Sequence, residues 1–217
     1  MKRFGILLFV VCCLLLISGC ANTVTQIFEY GDEMQVTVAL RGNFDATNNR
    51  YFLIIGSTEN YSVPLPRPDL DPDIPELFEP GTTPVQGTEE AYYTNYFSTW
   101  AGYVILDDDL QYHLAKGPFV LGETITREVL SSVDEAATTL TFSFRLGRMF
   151  TAVPSDIYFD FFSVAWVDGQ TKIPSDHLPS TGNEISKVSG SIVTVTDGED
   201  SGLDSSLDIL SLRAEIL

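Results

Sequence analysis

The chain has 217 residues, of which 30 are acidic and 12 are basic, and its formal net charge is −18 at pH 7. This charge argues against nucleic acid as a partner, because phosphate binding needs clustered Lys and Arg residues. It also disfavours docking of the protein surface on anionic lipid. Cations and neutral molecules remain as candidate ligands.

The N-terminus has the layout of an export signal. Lys2 and Arg3 precede an uncharged apolar run over positions 4–17, and the small residues Ser18 and Gly19 close it. As a helix, these 14 residues would span about 21 Å, which is short of the roughly 30 Å hydrocarbon core of a bilayer. The pattern therefore predicts translocation and removal of residues 1–19 rather than a permanent membrane span.

The cleavage region Ile17-Ser18-Gly19-Cys20 resembles the bacterial lipobox, in which an aliphatic residue and two small residues precede an obligatory cysteine. The resemblance implies that the Cys20 thiol carries a diacylglycerol thioether and that residues 20–32 form a lipidated tether. Several acyl chains, each worth about 0.8 kcal/mol per buried methylene, hold a protein firmly on a membrane. Ala21 and Asn22 follow without the Asp typical of inner-membrane retention, which favours the outer membrane or the cell surface.

Cysteine usage limits the chemistry of the mature chain. Cys12 and Cys13 lie inside the predicted signal, so Cys20 is the one cysteine that remains, and it is acylated. A disulfide framework, a zinc cluster and a thiol nucleophile are therefore not expected. About 200 residues are enough to bury one hydrophobic core.

Residues 33–217 are predicted to form a single domain of short strands. Met34–Leu40 alternates with period two, and a turn-rich segment joins it to the apolar run Tyr51–Ile55, which predicts a first hairpin. Asp107-Asp108-Asp109 is predicted to be a turn. Further strands are predicted at Gly102–Leu106, Leu110–Leu114, Thr124–Ser131, Thr138–Leu146, Ile157–Val167, Ser186–Thr196 and Leu210–Ile216. Eight or nine strands without a long helix predict an all-β antiparallel β-sandwich.

One long loop rich in Pro and Asp interrupts the strand series between residues 61 and 87. Seven of the 11 prolines of the chain lie there. Each proline lacks a backbone donor and fixes φ, so a central strand or a long helix is excluded. Loops of this length inside compact domains are usually functional or disordered. Thr88, with Glu89 and Glu90 after it, predicts the start of one short helix.

Three groups of acidic residues are candidate Ca²⁺ sites, because crowded carboxylates repel one another and a hard cation relieves that repulsion. The first group, in the Pro-rich loop, departs from an EF-hand, since Ile74 and Pro80 replace the required Gly and Glu. For every group, a solvated polar turn is the alternative interpretation. The candidate ligands are Asp69, Asp71, Asp73, Asp107, Asp109, Asp197 and Asp200.

Residues 92–103 form the densest aromatic stretch of the chain. Tyr92, Tyr96 and Trp100 recur at helical spacing and are the candidate ligand-binding residues, since flat exposed rings suit a sugar-binding surface. Packing in the core is the alternative, because large aromatic side chains bury most of their surface in folded domains. Trp166, in a long apolar run, is assigned to the core.

The C-terminal stretch Val193–Ser201, followed by Leu207-Asp208-Ile209-Leu210, resembles part of DOMON-like domains and family 9 carbohydrate-binding modules. In those domains an Asp-rich turn also leads into a Leu-Asp-Ile strand, although that strand opens the domain and here it closes the chain. The resemblance implies a β-sandwich with a sugar or haem as ligand. It assigns no individual functional residue.

No catalytic constellation is recognisable in the sequence. His113 and His177 are the candidate general bases, and neither lies in a nucleophile motif. Ser143, Ser163 and Ser175 lack a Gly-x-Ser-x-Gly frame, and with 30 acidic residues a carboxylate pair carries no signal. We therefore expect a non-enzymatic, lipid-anchored binding or scaffolding protein of the bacterial cell envelope, with an envelope protein or a glycan as partner. A carbohydrate-binding module is the first alternative, and a cell-envelope hydrolase is the second.

Overall fold

The computed structural model describes residues 31–61, 99–119, 125–134, 137–166 and 174–217. Within these ranges, 11 β-strands and one short helix build two antiparallel sheets that pack face to face. The predicted all-β sandwich is confirmed, with more strands than the eight or nine expected. The strands are β1 (Glu33–Leu40), β2 (Asn49–Gly56), β3 (Gly102–Leu106), β4 (Gln111–Lys116), β5 (Arg127–Ser132), β6 (Thr139–Arg145), β7 (Asp156–Ala165), β8 (Pro174–His177), β9 (Glu184–Ser186), β10 (Ile192–Thr196) and β11 (Ile209–Ile216), and the helix α1 is Leu146–Met149.

The small sheet has four strands in the order β10-β11-β1-β6. The large sheet has seven strands, in the order β5-β4-β3-β2-β7-β8 with β9 paired to β7. The main core lies between the two sheets, because alternate residues of each strand point to the same face. Val36 and Val38 of β1 and Leu53 and Ile55 of β2 belong to this buried cluster.

The large sheet also buries apolar side chains on its outer face, which is the face turned away from the small sheet. On β2, Phe52 and Ile54 alternate with the core residues and belong to a second buried cluster. Phe52 stacks on Phe162 of β7, with ring centroids 5.0 Å apart. β2 is therefore buried along its whole length, as the uninterrupted apolar run Tyr51–Ile55 indicates.

The hairpin predicted between the first two strands is wrong. β1 pairs with β6 and β11 in the small sheet, whereas β2 pairs with β3 and β7 in the large sheet. The connecting segment turns at Asp45, whose Oδ1 accepts the backbone N–H groups of Thr47 at 3.0 Å and of Asn48 at 3.2 Å. Because packed sheets lie about 10 Å apart, a segment of this length can carry the chain from one sheet to the other.

The predicted strand Ser186–Thr196 is in fact two strands in different sheets. β9 ends at Ser186 in the large sheet, and β10 begins at Ile192 in the small sheet. Gly190, with φ +81°, turns the chain between them, because glycine adopts the left-handed region without steric penalty. The hairpin predicted around Asp107–Asp109 is confirmed as the β3–β4 pair.

Several predicted features lie outside the described residues. They are the signal peptide, Cys20 with most of its tether, the Pro-rich loop from residue 62 onward and the short helix at Thr88. Among the described residues, no helix is long and apolar enough to cross a membrane.

Candidate functional site

A pocket of about 360 Å³ lies on the outer face of the large sheet, where β7 meets β9. Tyr158 and Asp160 of β7 line it, together with Glu59 and Tyr61 after β2. The segment before and at the start of β9 contributes Ser180, Gly182, Asn183 and Glu184. The two β7 residues alternate with core residues of the same strand, so their side chains point away from the main core.

Two tight turns bring the walls of the pocket together. After Gly56 the chain folds back so closely that a Cβ there would lie 3.1 Å from Tyr61, and the Tyr61 hydroxyl donates to the Phe159 carbonyl at 2.8 Å. Gly182, with φ +87°, reverses the chain before β9. The next carbonyl, that of Asn183, accepts the Phe159 N–H at 3.0 Å. The backbone of Phe159 thus ties both walls to β7.

Asp160 forms part of the pocket floor and is 4% exposed. Burial raises the pKa of this carboxyl to about 8, against the lowering effect of the backbone N–H groups of Phe161 and Leu178. The Phe161 N–H donates to Asp160 Oδ1 at 2.7 Å. At pH 7 the carboxyl is therefore mostly protonated and carries an O–H donor, which an ionised carboxylate lacks.

Asn183 is 5% exposed, and its side-chain amide has no hydrogen-bond partner for either Oδ1 or Nδ2 among the described residues. The amide lies close enough to the Tyr61 hydroxyl to lower the pKa of that phenol, and the hydroxyl can accept from Nδ2 while it donates to the Phe159 carbonyl. Buried polar groups are rarely left without a partner, because desolvation costs about 1–3 kcal/mol for each such group. Asn183 lines the pocket, and both of its amide atoms have almost no accessible surface.

The pocket mouth is acidic. Glu59 and Glu184 are exposed and line the pocket with the half-buried Tyr158. Burial, followed by the negative charge of Asp160, raises the pKa of Tyr61 to about 12, so the phenol is neutral at pH 7. The floor therefore offers neutral donors and acceptors, and the rim offers negative charge. This arrangement suits neutral or cationic ligands and disfavours anions.

Comparison of the chain with protein-family models, with curated proteins and with solved structures finds no match.

The candidate calcium ligands at the β3–β4 turn have side-chain partners. Asp107 Oδ1 lies 2.7 Å from Arg50 Nε, and its Oδ2 lies 2.9 Å from Arg127 Nη1. Asp109 Oδ2 lies 2.8 Å from His113 Nε2. These contacts reduce the repulsion between the neighbouring carboxylates without a metal ion. Asp107 and Asp109, the two predicted ligands of this turn, therefore both have side-chain partners.

The acidic residues near the C-terminus organise their own loop. Asp197 Oδ1 accepts the Gly198 N–H at 2.7 Å, and Asp200 Oδ1 accepts the Gly202 N–H at 2.8 Å. The fully buried Asp208 forms a salt bridge with Arg41. The described residues contain no group of three or more His, Cys, Asp or Glu side chains that could hold a metal ion. The remaining predicted ligands, at positions 69–73, lie outside the described residues.

The structure assigns Trp100 to the second buried cluster. It is 4% exposed, and its ring packs on Tyr103 with centroids 6.2 Å apart. For Trp100 this burial favours the alternative of core packing over an open sugar platform. Tyr92 and Tyr96 lie outside the described residues.

Trp166 is half-buried beside Arg50, whose guanidinium carbon lies 5.7 Å from the ring centroid.

The sequence reasoning missed both residues of the pocket floor. Asp160 could have been recognised from the sequence, because it is the one charged side chain in the apolar run Ile157–Val167. Burial of a carboxyl in such a run costs desolvation free energy, so its presence there suggests a functional role. Asn183 gives no such signal. The dipeptide Gly182-Asn183 is typical of an ordinary turn, and its position next to β7 depends on the fold.

Proposed function

We propose that the chain is a lipid-anchored, extracytoplasmic binding protein of the bacterial cell envelope, with the pocket of Asp160 and Asn183 as its ligand site. The lipobox at Ile17–Cys20 supports the anchor and the location. The observation that carries the binding role is the pocket of about 360 Å³, whose lining includes the buried Asp160 and Asn183 and the fixed phenol of Tyr61.

We propose binding without catalysis. The pocket floor holds a mostly protonated carboxyl, an amide and a phenol, which are groups that recognise a ligand through hydrogen bonds. The two histidines are engaged elsewhere: His113 contacts Asp109, and His177 Nδ1 lies 2.6 Å from the Leu178 carbonyl. An envelope hydrolase stays the alternative of a different class, and activity profiling with envelope substrates would reveal it.

The binding role is tested by thermal unfolding of the full chain in detergent, against a library of sugars, amines, amino acids and short peptides. A ligand at a hundredfold excess over its Kd stabilises the folded state by about 2.7 kcal/mol, which raises the melting temperature by roughly 5–10 °C for a chain of this size. The variant Ser180→Trp, on the exposed rim, fills the pocket and should abolish the shift.

The matched control is Ser201→Trp, which places the same ring at an exposed serine that does not line the pocket. It should keep the ligand-dependent shift. The proposal fails when no compound shifts the wild-type chain, or when the shifts are equal in both variants.

A further inference from the structure

We propose that the pocket binds the ammonium group of a small organic cation against the carboxylate of Asp160. This inference rests on the proposed function, since it names the ligand class of the same pocket. Such ammonium groups occur on free amines and on lysine side chains, and matched probes separate these two sources.

The pocket lining carries an excess of acidic groups. Among the described residues that line it, Glu59, Asp160 and Glu184 are carboxylic acids, and none is Lys, Arg or His. Desolvation, followed by the negative charges of Glu184 and Glu59, raises the pKa of Tyr158, so both rim acids act at the same wall. Negative charge inside a concave site concentrates cationic ligands there.

Asp160, on the pocket floor, is the group that the ammonium ion contacts. It is 4% exposed, and its hydrogen-bond partners among the described residues are backbone N–H groups, that of Phe161 at 2.7 Å and that of Leu178. A carboxylate accepts roughly four hydrogen bonds, so acceptor capacity remains for a ligand. A buried carboxylate without a cation is costly, and the charge of a bound ammonium group offsets that cost.

The aromatic walls and the dimensions of the pocket fit the same class of ligand. The phenol rings of Tyr61 and Tyr158 line the cavity, and aromatic rings attract organic cations. Tyr61 is held in place by its hydrogen bond to the Phe159 carbonyl at 2.8 Å. The volume of about 360 Å³ lies at the small end of small-molecule sites and leaves room for a short carbon chain beside the charged group.

Binding of an ammonium group is coupled to proton release. In the free protein at pH 7 the Asp160 carboxyl is mostly protonated, because burial raises its pKa to about 8. The ammonium group binds the carboxylate form, so the proton passes to the buffer and release approaches about one proton per ligand. The affinity should therefore rise about tenfold per pH unit from pH 5 to pH 7 and level off above about pH 8. A neutral ligand has no such requirement.

The titratable neighbours of Asp160 come from several elements. His177 of β8 pairs with Phe162 and lies on the same face of the large sheet as Asp160. Asp176 points to the other sheet, where it accepts the Ile209 N–H at 2.7 Å. The remaining titratable groups, which line the pocket, are Glu59, Tyr61, Tyr158 and Glu184.

The test is isothermal titration of the full chain in detergent, in buffers of different ionisation enthalpy, which measures affinity and proton release together. The ammonium probes are putrescine, cadaverine and Nα-acetyl-lysine methylamide. Their neutral counterparts are butanediol, pentanediol and the diacetylated lysine methylamide, and succinate is the anionic probe. We expect at least one ammonium probe to bind about tenfold or more tightly than its neutral counterpart, with release of about one proton at pH 7.

Three variants assign the effect to Asp160. Asp160→Asn should weaken binding of the ammonium probe about tenfold or more and abolish the proton release, because it removes both the charge and the titrating group. His177→Gln should keep the proton release. Glu128→Gln removes an exposed acid that does not line the pocket and should leave the affinity unchanged.

The outcomes distinguish this inference from the proposed function. Tighter binding of a neutral probe or of succinate, or a library shift by a ligand without an ammonium group that Ser180→Trp abolishes, overturns the ligand class but leaves a binding pocket. Ammonium binding that releases no proton, or that Asp160→Asn does not weaken, overturns the role of Asp160. Failure of every probe, together with the absence of any library shift that Ser180→Trp abolishes, overturns both proposals.

Discussion

Asp160 is the residue whose chemistry differs most from its ordinary behaviour. Its pKa of about 8 lies above the ordinary value of 3.8, so the folded state holds a proton that the unfolded state releases between about pH 4 and pH 8. The free energy of unfolding should therefore fall as pH rises through this window. For this one group, the decrease is about 1.4 kcal/mol per pH unit.

Replacing Asp160 by Asn removes the titrating group and keeps an acceptor for the Phe161 N–H. We expect the variant to be more stable than the wild type at pH 7. The difference in the free energy of unfolding between the two proteins should grow by about 1.4 kcal/mol per pH unit from pH 5 to pH 7 and level off above about pH 8. Urea denaturation at each pH measures this difference. Parallel stability curves for the two proteins would contradict the burial of an ionisable carboxyl.

The pocket around Asp160 was not predicted from the sequence. The position of Asp160 inside an apolar strand was visible, and the burial of such a strand on both faces follows from its composition. The pairing of Ile54 with Asp160, and of Tyr158 with Glu184, depends on long-range register. Local patterns do not encode that register, so the pocket could not be assembled from them.

Arg50 of β2 forms ion pairs with the β3–β4 turn and so holds that turn against strand β2. Its side chain is 8% exposed, with Nε 2.7 Å from Asp107 and Nη2 3.0 Å from Asp108. Arg50 also donates to the Ala46 carbonyl at 2.6 Å. We expect Arg50→Met to lower the free energy of unfolding by about 2–3 kcal/mol, because it leaves partly buried acceptors without their cation.

The matched control is Arg148→Met. The Arg148 side chain is 48% exposed, and its Nη1 lies 3.1 Å from Glu128. Exposed ion pairs contribute little, so this substitution should change stability by less than about 0.5 kcal/mol. Chemical denaturation of both variants measures the contrast. Equal losses would show that burial does not strengthen the Arg50 contacts.

Elements with local partners were predictable, and those with distant partners were not. The β3–β4 hairpin has its partner a few residues away, and the alternating pattern of β11 shows directly in its burial. β1 pairs instead with β11 at the far end of the chain, so nearness in sequence suggested the wrong partner, β2. The turn before β4 places Leu110 at φ 59°. A leucine rarely adopts a positive φ, so the sequence does not predict this conformation.

The proposed lipid anchor depends on one sulfur atom, that of Cys20. Cys20→Ser should abolish the incorporation of labelled palmitate and leave an uncleaved or soluble form, because the thioether requires the thiol. Cys12→Ser, inside the predicted signal, is the control and should keep both labelling and membrane attachment. Metabolic labelling followed by fractionation measures both variants. Continued labelling of the Cys20→Ser chain would refute the lipoprotein assignment.

The net charge of −18 opposes folding, and cations of any kind will screen it. A specific calcium site adds RT ln(1 + [Ca²⁺]/Kd) to stability, so the comparison must hold ionic strength constant. Asp197 and Asp200 each accept a backbone N–H group of their own loop at Oδ1, which gives one oxygen of each carboxylate a partner without a metal. We therefore expect any calcium-specific rise in melting temperature to depend on Asp69, Asp71 and Asp73.

Differential scanning calorimetry of the chelator-treated full chain, in CaCl₂ and in NaCl of equal ionic strength, tests this expectation. The calcium-specific rise should vanish when Asp69, Asp71 and Asp73 are all replaced by Asn. It should persist when Asp197 and Asp200 are replaced, since the carbonyl of Asn still accepts the loop N–H groups. A rise that survives the triple replacement and disappears in the double replacement would place the ion at the C-terminal loop instead. Equal curves in both salts for the wild-type chain would identify all of these acidic segments as solvated or ion-paired turns.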